Sequence, residues 1–223
     1  TPIVPLAPFK GASGLNPYAD FVMQTDHHVG QLLDTLKQTG LEKNTMVIFT
    51  SDNGCSPEAN FPLLADHDHH PSGVYRGHKA DIFEGGHRVP LIIRWPGKIS
   101  PKTQSKHLVC HTDLYPTLEA ISGQNPQKQG GEDGFSLLPI FTDQGTSKRD
   151  SLISHSIDVS FAIRQGDWKL CLSHGSGGWS APKEATAKKQ GLPALQLYHL
   201  GMDVKESHNL VSKYPARARA LLS

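Results

Sequence analysis

Cysteine is scarce, with three in 223 residues at positions 55, 110 and 171. An odd number so widely spaced excludes a disulfide-dense scaffold, and without a Cys-x-x-Cys pair a compact zinc module is excluded as well. Excess charge of one sign is also missing: 22 Lys and Arg face 21 Asp and Glu, for a net charge of +1. With no basic run either, the electrostatic footprint of a nucleic-acid binder is absent. Long apolar runs are lacking too, the stretch around Val89–Ile93 being typical, whereas a membrane-spanning helix needs about 20 apolar residues. What is plentiful is histidine (13), glycine (21) and proline (16). The length suffices for one large or two small domains with a buried core.

The first 15 residues, punctuated by Pro2, Pro5 and Pro8, predict an extended loop. Asn16-Pro17 then offers an N-cap followed by proline at the first helical position. Phe21, Val22, Val29, Leu32, Leu33 and Leu36 share one face of a 3.6-residue period, and Gly40 stands where a C-terminal cap belongs. This predicts an amphipathic helix over 17–39, layered on a sheet. The apolar run at 45–50 is consecutive, which suits a strand buried on both faces as in a parallel sheet; 89–94 repeats the pattern. Residues 55–80 form a long His-rich loop, 112–121 a short helix capped by Thr112, and 124–134 a loop. After about residue 142 the texture changes. Short strand candidates at 151–155, 159–164, 168–172 and 195–200, joined by turns, predict an antiparallel meander, with a Gly/Ser/Lys-rich insertion at 173–194 and a closing helix at 214–222. The expected fold is α/β: a mixed sheet with flanking helices over 1–142, then a small α+β domain with an antiparallel sheet over 143–223.

Chemistry concentrates at two places. Asp52-Asn53-Gly54 ends the first strand, where open α/β sheets bind ligands, and its two oxygen donors suit Ca²⁺ or Mg²⁺ better than zinc. The same tripeptide also suits an ordinary Asn-Gly turn. Lys79, in Arg76-Gly77-His78-Lys79, can reach an anionic ligand as a point charge or simply be a solvated lysine. The loop Asp66-His67-Asp68-His69-His70 leaves three readings open: a solvated loop, a substrate-facing loop with His67 and His70 as contacts, or a metal site. His27 and His28 read as surface or structural residues of the first helix. Trp168, within a strand pattern, reads as core, whereas Trp179 stands as a candidate contact to a sugar or aryl group.

The segments 45–54 (TMVIFTSDNG), 76–79 (RGHK), 84–90 (EGGHRVP) and 91–99 (LIIRWPGKI), then 112–123 with its Asp-Leu-x-Pro-Thr helix, 134–139 (GFSLLP) and 197–200 (LYHL), resemble the sulfatase family of the alkaline-phosphatase superfamily in order and spacing. The resemblance implies hydrolysis of sulfate monoesters with one Ca²⁺, Mg²⁺ being the alternative ion. It casts Asp52 and Asn53 as the second pair of metal ligands and Lys79 as the contact to the sulfate group. Glu84 and Arg88 then read as a structural ion pair, and His78 departs from the glycine usual before the lysine. The family's nucleophile, a formylglycine made from Cys-x-Pro-x-Arg, has no counterpart here: Cys55-Ser56-Pro57 continues Glu58-Ala59, so Cys55 reads as a loop cysteine. The resemblance therefore implies the C-terminal portion of a longer enzyme whose N-terminal part supplies the formylglycine, inactive by itself, with Thr1-Pro2 as the tail of a histidine loop. The implied substrate is a sulfated small molecule or carbohydrate, and the implied location periplasmic or secreted. Two other readings stay open: a non-catalytic metal- or glycan-binding module, and a phosphate or phosphonate hydrolase of the same superfamily.

Overall fold

The computed structural model describes residues 2–123, 131–142 and 145–223. Thr1, and residues 124–130 of the loop expected at 124–134, lie outside the described residues. Helix α1 (Pro17–Gln38) begins as its sequence dictates: the Asn16 side chain accepts a hydrogen bond from the Ala19 N–H at 2.9 Å. Asp20 in its first turn is buried and accepts from the N–H groups of Gly11 and Ser13, which ties the proline-rich start onto the helix. The apolar stripe is only half covered. Val29, Leu33 and Leu36 are partly buried, whereas Phe21, Val22 and Leu32 are exposed, so the expected layer on a sheet is incomplete among the described residues.

Strand β1 (Val47–Thr50) leads to the short helices α2 (Phe61–Ala65) and α3 (Glu84–His87) and then to strand β2 (Leu91–Arg94). β1 and β2 form a two-stranded antiparallel sheet with Val47 opposite Arg94 and Thr50 opposite Leu91. The expectation of strands buried on both faces, as in a parallel sheet, is corrected here: Phe49 is 37% and Ile92 59% exposed. A consecutive apolar run states that two faces are apolar; it carries no information about the direction of the partner strand. The helix expected from Thr112 is α4 (Leu114–Ile121), preceded by a 3-10 turn at His111–Asp113. Thr112 is not its cap. The Thr112 hydroxyl donates to the Asp133 carbonyl at 3.4 Å, while the buried Asp113 carboxylate takes the Cys110 N–H of the 3-10 turn at 2.8 Å and pairs with Arg149. Helix α5 (Leu138–Phe141) follows.

Strands β3 (Ser151–His155), β4 (Phe161–Gln165) and β5 (Trp168–Cys171), then, after α6 (Glu184–Lys189), β6 (Gln196–His199) form a four-stranded antiparallel sheet in sequence order. Helix α7 (Pro215–Ala220) closes one face, where Leu170 and Leu197 pack with Ala218 and Leu221. The other face receives Ile82 and Phe83, fully buried against Ala162, Cys171, Tyr198 and Leu200. The loop before α3 is thus a plug in the core of the meander.

A buried ionic lattice fixes that plug. Lys169 Nζ lies 3.1 Å from Glu84 Oε1 and 2.9 Å from Glu206 Oε1, with all three side chains buried. Glu206 Oε2 accepts the Glu84 N–H at 2.7 Å, and Arg76 donates to the Glu206 carbonyl at 2.8 Å with its guanidinium 3.8 Å over the Phe83 ring. Arg88 and Arg164 complete the shell of Glu84, in agreement with the structural ion pair read from the sequence. Burial pushes the Glu84 carboxyl up, but Lys169, Arg88 and Arg164 outweigh it and leave it at about 2. Glu206 is held in the left-handed region at φ 51, a strained conformation that these contacts enforce.

Lys169→Met should therefore destabilise the chain by about 3–5 kcal/mol, because it leaves the buried Glu206 carboxylate without its cation and beside Glu84, which keeps only Arg88 and Arg164. Urea denaturation checks this, and a loss within experimental error of zero would show that the lattice carries no stability.

Candidate active site

Three backbones meet at the end of β1 because glycine leaves room for them. The Gly54 N–H donates to the Gly86 carbonyl at 2.9 Å, and a Cβ on Gly54 would lie 1.9 Å from the Gly85 carbonyl oxygen. Gly85 in turn would meet the Gly77 carbonyl at 2.2 Å. This crossing sets the Asp52-Asn53 turn against the loop that carries Lys79, and the Lys79 N–H donates to the Cys55 carbonyl at 3.0 Å. The turn itself is held by Ser51, whose hydroxyl donates to the Asn53 carbonyl at 2.9 Å and lies 3.5 Å from Asp52 Oδ1.

Asp52 is exposed and Asn53 half-buried. The Asn53 amide makes no side-chain hydrogen bond among the described residues, and the Lys79 ammonium has no ion pair among them. An acidic and an amide oxygen at a strand end, on a turn whose following residues hold the Lys79 backbone, match the donor set of a hard divalent ion and the charge of an anionic ligand. Two side chains make half of such a site: among the described residues no group of three or more His, Cys, Asp or Glu could hold a metal ion.

Asp81 organises this loop, and sequence reasoning missed it. Its fully buried carboxylate accepts from the N–H groups of His78 at 3.0 Å, Trp179 at 2.9 Å and Ser180 at 3.0 Å. Nothing in local periodicity reports a carboxylate that binds backbone a hundred residues away; an acid two positions after the lysine was the available signal. The imidazole of His78 turns to the Lys79 carbonyl at 2.9 Å and stacks at 5.4 Å on Phe61 of α2. His67 and His70 lie exposed beyond α2. The first contacts the Leu63 carbonyl at 3.0 Å and the second lies 3.8 Å from Asp68, and neither meets Lys79. Cys55 is half-buried, and burial pushes its thiol up, in keeping with a protonated loop cysteine. His27 and His28 pack on Phe9, Trp168 packs against α7's cluster, and Trp179 is 42% exposed.

A cleft of about 590 Å³ runs from Asp52 past His87 to Lys169 and Arg164. His87 Nε2 is buried there without a hydrogen-bond partner among the described residues. Burial and the neighbouring Lys169 hold its imidazole at about 4, so it is neutral near pH 7.

Comparison with known proteins follows this geometry. The profile described as Sulfatase matches residues 7–123, and one described as N-sulphoglucosamine sulphohydrolase, C-terminal, matches residues 76–174. The chain belongs to the sulfatase family. It is 30% identical over 230 residues to an N-acetylgalactosamine-6-O-sulfatase of Bacteroides thetaiotaomicron, covering 99% of this chain and 43% of that protein. It is 35% identical over 216 residues to human arylsulfatase A, covering 91% of this chain and 40% of that protein. A solved Bacteroides thetaiotaomicron structure from work on the metabolism of multiple glycosaminoglycans matches all of this chain and 46% of its own, at 31% identity and a TM-score of 0.85. The chain thus spans less than half the length of these sulfatases, and the mixed α/β fold expected for the family is the one observed.

One pH effect follows from His87. Its folded pKa lies at about 4 against an ordinary 6.5, so the unfolded chain binds the extra proton. The stability contribution is complete above pH 6.5 and declines as pH falls toward 4, with a slope approaching about 1.4 kcal/mol per unit. Thermal melts between pH 7 and 4 check it: His87→Gln should flatten that slope, and an unchanged slope would contradict the assignment.

Proposed function

We propose that this chain supplies part of the active site of a sulfate-monoester hydrolase. Membership of the sulfatase family, with Lys79 hydrogen-bonded through its backbone to the loop that follows Asp52 and Asn53, carries the reading. Asp52 and Asn53 are two of the oxygen ligands of a divalent cation, Ca²⁺ by preference and Mg²⁺ as the alternative, and both keep their side-chain oxygens available. When bound, such an ion orients the sulfate and draws charge from it.

Lys79 acts on the same group. A sulfate ester already carries negative charge, and cleavage shifts more onto its oxygens and onto the leaving oxygen. An ammonium whose main chain is tied to the loop after the metal pair can lower the energy of that charge where it develops. The loop that holds it is set by Asp81 and by the glycine crossing, so the lysine is positioned before substrate arrives. His67 and His70, exposed beyond α2, are the proposed contacts to the outer part of the substrate. The nucleophile, a formylglycine, and the remaining ligands belong to the portion of the enzyme for which the relatives' greater length leaves room. The relatives' names support a sulfated carbohydrate or an aryl sulfate as substrate.

Two measurements test the reading. In the complete enzyme, Lys79→Ala should lower kcat/KM for 4-nitrocatechol sulfate or N-acetylgalactosamine 6-sulfate by about 10²–10³-fold with the melting temperature retained; wild-type rates would overturn the role. The 223-residue chain by itself should not turn over 4-nitrocatechol sulfate, and turnover by a homogeneous sample would overturn the division of the site.

A further inference from the structure

Two loops of the antiparallel meander reach the Lys79 loop. The first, over 156–160, donates the Ile157 N–H to the Ala80 carbonyl at 3.0 Å. The second, over 175–180, donates the Trp179 and Ser180 N–H groups to Asp81, while the Ile82 N–H donates to the Ser176 carbonyl at 2.8 Å. The loops are also joined to each other, Asp158 N–H to the Gly177 carbonyl at 3.3 Å. The approach is as close as backbone allows: a Cβ on Gly178 would lie 2.5 Å from the Ala80 carbonyl oxygen.

Outward, these anchored loops present mainly apolar side chains, with the exposed Asp158 between Ile157 and Val159. Trp179 is 42%, Ile157 59% and Val159 64% exposed. Val159 sits at φ 66, a region that a β-branched residue adopts only under strain, and such strain collects at ligand sites. An indole held outward on a fixed backbone loses little entropy when a flat partner stacks on it. Its backbone neighbours are Ala80 and Asp81, directly after Lys79.

We propose that Trp179, flanked by Ile157 and Val159, forms the wall of the leaving-group subsite and stacks on the apolar face of the sugar ring of a sulfated carbohydrate. The inference rests on the hydrolase reading and adds to it the substrate class and the surface that selects it. Lys79 grips the sulfate, and Trp179, placed by the Asp81 clamp, grips the ring that the sulfate leaves. Trp179 acts on binding of the leaving group and not on the sulfate.

The test uses the complete enzyme and two probes, 4-nitrocatechol sulfate and a panel of sulfated monosaccharides that includes N-acetylgalactosamine 6-sulfate. Trp179→Ala should raise KM for the best sulfated monosaccharide by about 10–100-fold, the range of a truncated aromatic anchor. kcat should change less, the inhibition constant of inorganic sulfate should stay within twofold, and Trp179→Phe should recover most of the loss. An unchanged KM, or a fall in kcat and melting temperature together without a KM effect, would overturn the assignment and make Trp179 a packing residue. A wild-type enzyme that cleaves 4-nitrocatechol sulfate but no sulfated monosaccharide would overturn the carbohydrate assignment alone. No turnover of any sulfate ester would overturn the hydrolase reading, and this inference with it.

Discussion

The molecule depends on one buried ammonium. Lys169 is contributed by the middle of the meander, yet its two carboxylate partners come from α3 and from the segment after β6. Burial would drive such a lysine toward neutrality, but Glu84 and Glu206 more than reverse that and hold the charge in place. An isolated ion pair of this kind contributes little net stability. Its value lies in geometry, because a buried charge held between two carboxylates admits few alternative arrangements. Glu84 opens the helix whose glycines let three backbones cross, and that crossing brings the segment after Asp52 and Asn53 against the Lys79 loop. This region is therefore connected to the meander through Glu84, held by Lys169, and through Asp81.

Much of this was legible in the residues. The first helix announced both ends through Asn16-Pro17 and Gly40, and the meander announced four strands through apolar segments and turns. These are local signals, and the structure reproduces them within a residue or two. The direction of pairing between β1 and β2 was not legible, since an apolar run is the same sequence in either direction. Nor was the start of α4, where a 3-10 turn closed by the Asp113 carboxylate precedes the helix and the Thr112 hydroxyl turns to the Asp133 carbonyl.

The site divides in the same way. Asp52, Asn53 and Lys79 are proposed on motif order, and the fold brings the segment after the Asp52-Asn53 turn and the Lys79 loop together. Asp81 was invisible because its partners, His78, Trp179 and Ser180, are assembled by the fold. The same long-range logic explains why the 173–194 segment read as an insertion. Its 175–180 stretch binds Asp81 through backbone N–H groups, and only the fold brings the two together. The uncovered faces of α1, β1 and β2 are in keeping with a chain that spans less than half of its relatives.

The central claim is that Asp52 and Asn53 ligate the metal ion that hydrolysis requires. Metal analysis of the complete enzyme, comparing wild type with an Asp52→Ala, Asn53→Ala double variant, tests it most directly. The account predicts one tightly held Ca²⁺ or Mg²⁺ per wild-type chain, and its loss together with sulfate-ester hydrolysis in a variant that still folds. A double variant that retained both the ion and the activity would contradict it.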